Sequence, residues 1–156
     1  MRKQKKFRVY IAGGMHGRMT GLVRAERMMA STLLEAAGLD YYDPAASEGL
    51  EDKALTWIID SNMSRPLMES YVHKDDTNLA KCDAILVLTG DTVSDGTWDE
   101  KAQMQYRYKR PIAMVAPRRA SGDLMTFTTI KIKGVYPTLE AAINGLKGEL
   151  NALRSK

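Results

Sequence analysis

The stretch CDAILVLTGDTVSDGTWDE, residues 82–100, decides the fold. Its segment AILVL (84–88) is a continuous apolar run, as expected of a strand that is buried on both faces. The turn that follows is rich in carboxylates, which are Asp91, Asp95, Asp99 and Glu100. Because like charges repel, an ordinary surface turn has little reason to crowd acids together. The turn therefore predicts a functional site at the end of this strand.

Strand-like and helix-like patterns alternate on both sides of this stretch. The predicted strands are 7–13, 39–44, 84–88, 111–117 and 127–133. The predicted helices are 20–37, 64–82, 96–109 and 138–153. Short strands separated by single helices require crossover connections. The pattern thus predicts one doubly wound α/β domain over residues 7–156, with a mainly parallel sheet and helices on both faces.

The first predicted helix carries apolar residues at helical spacing. They are Leu22, Met28, Met29, Thr32, Leu33 and Ala36. The spacing predicts an amphipathic helix with these residues on its apolar face. Gly38 follows as the predicted C-cap.

Composition excludes several classes of protein. The chain has 156 residues, of which 44% are apolar and 27% charged, as in an ordinary globular domain. No apolar run approaches the ~20 residues that span a bilayer, so no membrane partner is expected. The single Cys82 cannot form an internal disulfide, which suits a reducing cytoplasm, and its place before a buried strand predicts a core residue.

The net charge of +4 is concentrated in part in a basic leader at residues 1–6. No aromatic side chains interleave the leader, so it offers bases no stacking platform and is interpreted as a solvated tail. Nucleic acid is therefore not an expected partner. His16 and His73 are isolated in the sequence, so no metal site is predicted either.

In a doubly wound sheet, ligands bind beyond the carboxyl ends of the strands. The acids after residue 88 belong to that edge, and Glu100 is expected in the first turn of a helix, ionised by the helix dipole. An ionised carboxylate can attack an electrophilic sugar carbon, while a second carboxyl with a raised pKa protonates the departing group. Helix capping alone would explain Asp95 or Asp99 but not the whole set.

Several motifs together resemble the nucleoside 2-deoxyribosyltransferase family. They are VYIAGG at 9–14, Asp75 followed by Leu79, the stretch 82–100 and KRPI at 109–112. The resemblance covers about residues 7–125. It implies a flavodoxin-like, homo-oligomeric enzyme that needs no cofactor. Such enzymes cleave the N-glycosidic bond of a nucleoside through a glutamate that becomes glycosylated.

The resemblance also implies a role for each matching residue. Glu100 is the nucleophile, the hydroxyl of Tyr10 holds it, and Asp75 contacts the nucleobase and assists its protonation, with Asp76 as the alternative if the helix register differs. The implied substrate-binding positions are Gly13, Gly14, Met15, Arg18, Ser94, Asp95, Gly96, Thr97, Asp123 and Met125. The segment from Asp123 to Met125 resembles one that reaches the sugar in a neighbouring subunit.

Two departures from the family leave the substrate open. Ser94 stands where an aspartate usually contacts the sugar 5′-hydroxyl, and the first loop contains Gly14, Gly17 and Arg18. Both features resemble the related deoxynucleoside 5′-monophosphate N-glycosidases, because a hydroxyl and an arginine accommodate a phosphate dianion. The adjacent Asp95 would repel it. The expected partners are therefore a nucleoside or nucleotide and a nucleobase. A deoxynucleoside 5′-monophosphate N-glycosidase is the first alternative function, and a non-catalytic nucleotide-binding domain is the second.

Overall fold

The computed structural model describes residues 6–14, 20–47, 65–89, 95–115 and 134–155. The strands are β1 (Arg8–Gly13), β2 (Asp40–Tyr42), β3 (Ala84–Leu88), β4 (Ile112–Val115) and β5 (Val135–Tyr136). The helices are α1 (Thr20–Ala36), α2 (Pro44–Ser47), α3 (Arg65–Lys81), α4 (Asp95–Ala102) and α5 (Leu139–Arg154). A π-helical segment, Gln103–Tyr108, continues α4.

The strands form one parallel sheet in the order β2-β1-β3-β4-β5. This order, with crossover helices between parallel strands, is the flavodoxin-like arrangement. It confirms the predicted doubly wound α/β fold. The chain changes winding direction between β1 and β3, and such a switch point opens a crevice at the carboxyl ends of the two strands.

The core lies on both faces of the sheet because successive side chains of a strand point to opposite sides. On β1, Val9 and Ile11 face one side, while Tyr10 and Ala12 face the other. Every residue of β3 is buried, as the continuous apolar run predicted. The sheet is therefore covered on both sides.

Different helices cover the two faces. The face of Val9 packs against α1 and α5, with Leu34 and Leu146 in the same cluster. The face of Tyr10 packs against α3 and the π-helical segment, through Leu79 and Met104. Tyr10 consequently points toward the two helices that carry Asp75 and Glu100.

The predicted apolar face of α1 is wrong. The buried side chains of α1 are Val23, Arg27, Ala30 and Leu34. Those of Leu22, Met28 and Met29 are exposed, although the sequence pattern placed them on the apolar face. The buried set also follows the helical period, but it includes a charged residue, Arg27, and a pattern of apolar residues alone overlooks it. The prediction of Gly38 as C-cap is confirmed, since its φ is 80°.

The remaining differences lie at the edges of the domain. The predicted strand at 127–133 lies outside the described residues, and β5 follows it at Val135–Tyr136. The short helix α2 was not predicted. The closing helix α5 is confirmed, and its N-cap Thr138 accepts a hydrogen bond from the backbone N–H of Ala141 at 3.2 Å.

Within the described ranges, no helix is long and apolar enough to cross a membrane.

Candidate active site

Tyr10 and Glu100 meet on one face of the sheet. The phenol of Tyr10, which is completely buried in β1, donates a hydrogen bond of 2.7 Å to Oε1 of Glu100. The two residues are 90 positions apart in the sequence, and only the packing of α4 on the sheet brings them together. The structure thus makes the contact that the family resemblance implied.

Glu100 is held in an environment that disfavours its charge. Burial raises the pKa of Glu100 to about 7, and the negative charge of Asp75 raises it further, while the hydrogen bond from Tyr10 and the charge of Arg27 act to lower it. The expectation that the helix dipole keeps Glu100 fully ionised is wrong. Because α4 begins at Asp95, Glu100 lies in the second turn, beyond the unpaired N–H groups that would stabilise it.

Asp75, on α3, is the second carboxyl of the site. Burial raises its pKa to about 6, with Lys74 opposing this shift. Its Oδ1 is buried and has no hydrogen-bond partner among the residues that the structure describes. A buried oxygen without a partner costs free energy, and a ligand that donates to it would recover that cost.

The structure distinguishes Asp75 from the alternative, Asp76. Oδ1 of Asp76 accepts a hydrogen bond of 3.0 Å from the side-chain amide of Gln103. Asp75 instead lies close enough for its charge to raise the pKa values of both Tyr10 and Glu100. Asp75 is therefore the carboxyl that shares the site with Glu100.

Arg27 links the carboxyl end of β1 to the site, although the apolar pattern of the sequence does not indicate it. The Arg27 guanidinium donates to the backbone oxygens of Ile11 at 3.3 Å and Gly13 at 2.9 Å. It also forms a buried ion pair with Asp43. Its positive charge opposes the effect of burial, which raises the pKa values of Asp75 and Glu100. The sequence does contain one indication of its burial. Arg27 lies four residues, about one helical turn, after Val23, so both side chains belong to the same buried face of α1.

Asp43 holds the other half of this ion pair. Its Oδ1 also accepts the backbone N–H of Ala45 at 3.0 Å, at the start of α2. Asp43 thus also caps the first turn of α2. The ion pair joins the ends of β1 and β2 beneath the crevice.

A second missed feature is the side chain of Gln103, which joins α3 to α4. Its amide nitrogen donates to Asp76 at 3.0 Å and to Asp99 at 2.9 Å. These acceptors are the sequence neighbours of Asp75 and Glu100. Arg107 donates to the Gln103 oxygen at 3.4 Å, which orients the amide. Gln103 therefore sets the separation of the two helices that carry the site carboxyls.

The glycines predicted to contact a ligand lie at the carboxyl end of β1. A Cβ on Gly13 would lie 2.8 Å from the backbone oxygen of Leu88, so only glycine allows β1 and β3 to approach this closely. Gly14 follows and is buried. Both residues lie at the edge of the sheet where the crevice opens.

The other predicted binding positions divide into two groups. Gly96 and Thr97 lie in the first turn of α4, Gly96 exposed and Thr97 buried, and Asp95 begins this helix. The rest lie outside the described residues: Met15, Arg18, Ser94, Asp123 and Met125.

The ring of Tyr42 packs beside the ring of Tyr10. The ring centroids of the two tyrosines are 5.6 Å apart and tilted by 37°. The hydroxyl of Tyr42 accepts a hydrogen bond of 3.1 Å from the amide of Asn78, one turn after Asp75 on α3. Tyr42 therefore links β1 and α3 on the face of the sheet that carries Tyr10.

Three further side chains could take part in acid, base or nucleophilic chemistry: Cys82, His73 and His16. Burial raises the pKa of Cys82 to about 12, and its thiol packs in the core, as predicted. His73 is exposed on α3, and His16 lies outside the described ranges. In the described part of the chain, no group of three or more His, Cys, Asp or Glu side chains could hold a metal ion.

The arrangement can divide acid and nucleophile roles between two carboxyls. Asp75 and Glu100 both titrate near neutral pH and repel each other when both are charged. Such a pair readily holds one proton between them, so one group can act as an acid while the other is ionised. Tyr10 donates a hydrogen bond to Glu100, and this bond favours the ionised form of Glu100.

Comparison with known proteins supports the fold. No protein-family model and no curated protein sequence matches the chain. The structure is similar to a 2-deoxyribosyltransferase from Bacillus psychrosaccharolyticus, with a TM-score of 0.62 and 16% identity over 88% of this chain and 90% of that one. A CMP N-glycosidase from Clostridium botulinum gives a TM-score of 0.48 and 15% identity over 89% and 96% of the two chains. The transferase likeness confirms the flavodoxin-like fold.

Proposed function

We propose that this chain cleaves the N-glycosidic bond of a 2′-deoxynucleoside and passes the deoxyribosyl group to another nucleobase or to water. The observation that carries the proposal is the 2.7 Å hydrogen bond from Tyr10 to Glu100, with Asp75 beside the pair. The motif resemblance and the name of the structural neighbour, a 2-deoxyribosyltransferase, support the same chemistry.

In the first step, an oxygen of Glu100 forms a bond to C1′ of the sugar as the bond from C1′ to the base nitrogen breaks. The base takes the bonding electron pair, and the Asp75 carboxyl supplies its proton. The product is a glycosyl ester of Glu100 and a free nucleobase. Burial raises the pKa values of Asp75 and Glu100 to about 6 and about 7, so the reactive form is the one in which the shared proton is on Asp75 and Glu100 is ionised.

In the second step, a nitrogen of an incoming base or the oxygen of water attacks C1′. The ester bond to Glu100 breaks, its electron pair returns to the carboxylate, and the proton of the attacking group goes to Asp75. Both groups then have their starting charges. The same residues therefore serve transfer and hydrolysis, and the acceptor depends on how well the closed site excludes water.

The position of Tyr10 suits a nucleophile of this kind. Because its O–H occupies Oε1, the other oxygen of Glu100 is available for attack. Burial and the nearby Glu100 keep the pKa of Tyr10 far above its ordinary value, so it remains a hydrogen-bond donor at all relevant pH values. A fixed donor to the carboxylate also stabilises the leaving carboxylate in the second step.

A deoxynucleoside 5′-monophosphate is the alternative substrate, with hydrolysis as the reaction. Ser94 and the loop with Gly17 and Arg18 favour it, because a hydroxyl and an arginine accommodate a phosphate dianion. Gly14, which is buried directly after β1, would let a phosphate approach the backbone closely.

A side-by-side assay tests the proposal. The chain is incubated with a deoxynucleoside or its 5′-monophosphate, with and without a second base, and the released base is measured. Glu100→Gln is expected to lose activity at least a thousand-fold, whereas Glu149→Gln, at an exposed glutamate of α5, remains fully active. Near-normal turnover by Glu100→Gln contradicts the mechanism. Tight nucleotide binding by the wild type without any base release would favour the non-catalytic binding domain.

A further inference from the structure

The backbone oxygens at the end of β1 are bound by a side chain instead of a neighbouring strand. β2 pairs with β1 up to Tyr10, whereas β1 continues to Gly13. The oxygen of Phe7 accepts the N–H of the first β2 residue, and the oxygens of Ile11 and Gly13 point the same way because they follow at even spacing. Both of these oxygens accept hydrogen bonds from Arg27. The Arg27 guanidinium therefore lies beside β1, in the place that a longer β2 would occupy.

The guanidinium is also held from a second side. Asp43, which directly follows β2, forms a buried ion pair with Arg27, and the two residues are only 8% and 6% exposed. Nη1 of Arg27 carries the bonds to Asp43 and Ile11, whereas Nη2 carries the bond to Gly13. Because Gly13 ends the strand, Nη2 lies nearer the crevice. The positive charge is thus fixed at the edge of the sheet where the crevice opens.

This fixed charge acts on both carboxyls of the site. Burial raises the pKa values of Glu100 and Asp75, and the charge of Arg27 opposes both shifts. Its position beside the end of β1, rather than behind the sheet, explains how a residue of α1 influences carboxyls on α3 and α4. The other charged or titratable groups that act on these carboxyls are Tyr10 on β1, Lys74 and Asp76 on α3, and Asp99 on α4.

We propose that Arg27 is the fixed counter-ion for one negative charge that moves between Glu100 and Asp75 during the reaction. The proposal rests on the proposed function. In the first step, Glu100 loses its charge as it forms the ester, and Asp75 gains a charge as it gives its proton to the base. The second step reverses the exchange. A fixed cation near both carboxyls stabilises the charge at either place without moving itself. Arg27 is therefore a positioning residue.

A counter-ion of this kind controls how many protons the two carboxyls hold. Removal of the positive charge should raise both pKa values of the pair, because each ionisation then creates negative charge without it. The pH profile of kcat/KM has an acidic limb, where the pair loses its first proton, and a basic limb, where it loses the second. Both limbs should therefore move together toward higher pH. A merely structural role would lower activity at every pH and leave the limbs in place.

Variants of Arg27 separate its charge from its hydrogen bonds. Arg27→Gln should move both limbs by about one pH unit toward higher pH, so activity on the acidic limb falls about ten-fold and most of the maximum returns at higher pH. Arg27→Lys keeps the charge but loses the forked hydrogen bonds, so its limbs should stay at the wild-type positions while its stability falls. Arg24→Gln, at an exposed arginine of the same helix, is the control and should leave the profile unchanged.

Asp43→Asn changes the charge in the opposite direction. Its amide oxygen can still accept hydrogen bonds from Arg27 and from the backbone N–H of Ala45. The negative charge that offsets Arg27 is lost, so both limbs should move toward lower pH. Because these contacts are retained, this variant tests the proposal even if Arg27→Gln does not fold.

A ¹³C NMR titration of the side-chain carboxyls in the ligand-free proteins measures the same pKa values without turnover. The values for Glu100 and Asp75 should rise in Arg27→Gln and fall in Asp43→Asn. Unchanged values in these variants, or limbs that move as far in Arg27→Lys as in Arg27→Gln, overturn this proposal alone if the wild type releases base. A wild type that releases no base overturns the proposed function and this proposal with it.

Discussion

The hydroxyl of Tyr10 donates a 2.7 Å hydrogen bond to Glu100, joining the first strand of the sheet to the helix that follows the third. This contact does two things at once. It fixes one carboxylate oxygen in place, and it opposes the burial that raises the pKa of Glu100 to about 7. The ionisation of the proposed nucleophile is thus controlled by a residue from a different part of the chain.

Tyr10→Phe should shift the pH profile of base release toward higher pH. The hydrogen bond from Tyr10 lowers the pKa of Glu100, so its loss raises that pKa, and Glu100 must be ionised to attack. A hydrogen bond to a charged group is worth about 1.5–3 kcal/mol, which corresponds to a loss of roughly ten- to hundred-fold in kcat/KM at neutral pH. Tyr106→Phe, at a tyrosine that is 71% exposed, is the control and should leave the profile unchanged. An unshifted acidic limb in Tyr10→Phe would contradict the assignment.

Asp75→Asn should shift the acidic limb of the pH profile of base release toward lower pH, opposite to the shift expected for Tyr10→Phe. The negative charge of Asp75 raises the pKa of Glu100, so its removal lets Glu100 ionise at lower pH. The variant also loses the proton donor, so kcat should fall most for bases that leave poorly. The measurement is a pH profile with two substrates of different base basicity.

The matched control for this prediction is Asp76→Asn. Its amide oxygen can still accept the hydrogen bond that Gln103 makes to Oδ1, so α3 should stay in place. It is expected to lose little activity. If Asp76→Asn is the more severe variant for poor leaving groups, the roles of the two aspartates are exchanged.

Glu100→Gln should be more stable than the wild type above neutral pH. The folded-state pKa of Glu100, about 7, lies above its ordinary value of 4.5, so its contribution to stability is present below about pH 4.5 and is lost as the pH rises through 7. The glutamine never acquires that charge. Urea unfolding at pH 8 should show an advantage of up to about 3 kcal/mol for the variant, shrinking toward zero near pH 4.5. Equal pH dependence of the two proteins would mean that Glu100 is not buried in solution.

Gln103→Glu should separate α3 from α4. The glutamine amide donates to Asp76 and Asp99, and a glutamate would set a third negative charge against them. The variant should lose about 1–3 kcal/mol of unfolding free energy and much of its kcat at neutral pH, with partial recovery in acid. Gln105→Glu is the matched control, because Gln105 accepts from Lys101 and a glutamate would still do so. Comparable losses in both variants would show that Gln103 has no special role.

The sheet could be predicted because its signals are local. The apolar run 84–88 required a strand buried on both faces, and the glycines and acids after the strands marked the edge where the crevice opens. The contact between Tyr10 and Glu100 could be predicted only through the family resemblance, because nothing local relates two residues 90 positions apart.

The sequence did not indicate Arg27 or Gln103, because the roles of both residues depend on tertiary contacts. The buried face of α1 includes Arg27, whose charge is satisfied by Asp43 and by backbone oxygens of β1. A pattern of apolar residues cannot show that a charged residue has such partners, so it pointed instead to the side of α1 that carries the exposed Met28 and Met29. Gln103 was missed for the same reason, since its two acceptors lie on different helices.

Trapping of the glycosyl-enzyme tests the central claim most directly. The wild type is mixed with a deoxynucleoside, or with its 5′-monophosphate, in the absence of an acceptor base, quenched in acid within milliseconds to seconds, digested and analysed by mass spectrometry. We expect a peptide that carries one deoxyribosyl group, or its 5′-phosphate, on Glu100, and its disappearance when an acceptor base is added before the quench. Base release during these turnovers without any adduct on Glu100, or with an adduct on another residue, would contradict the mechanism.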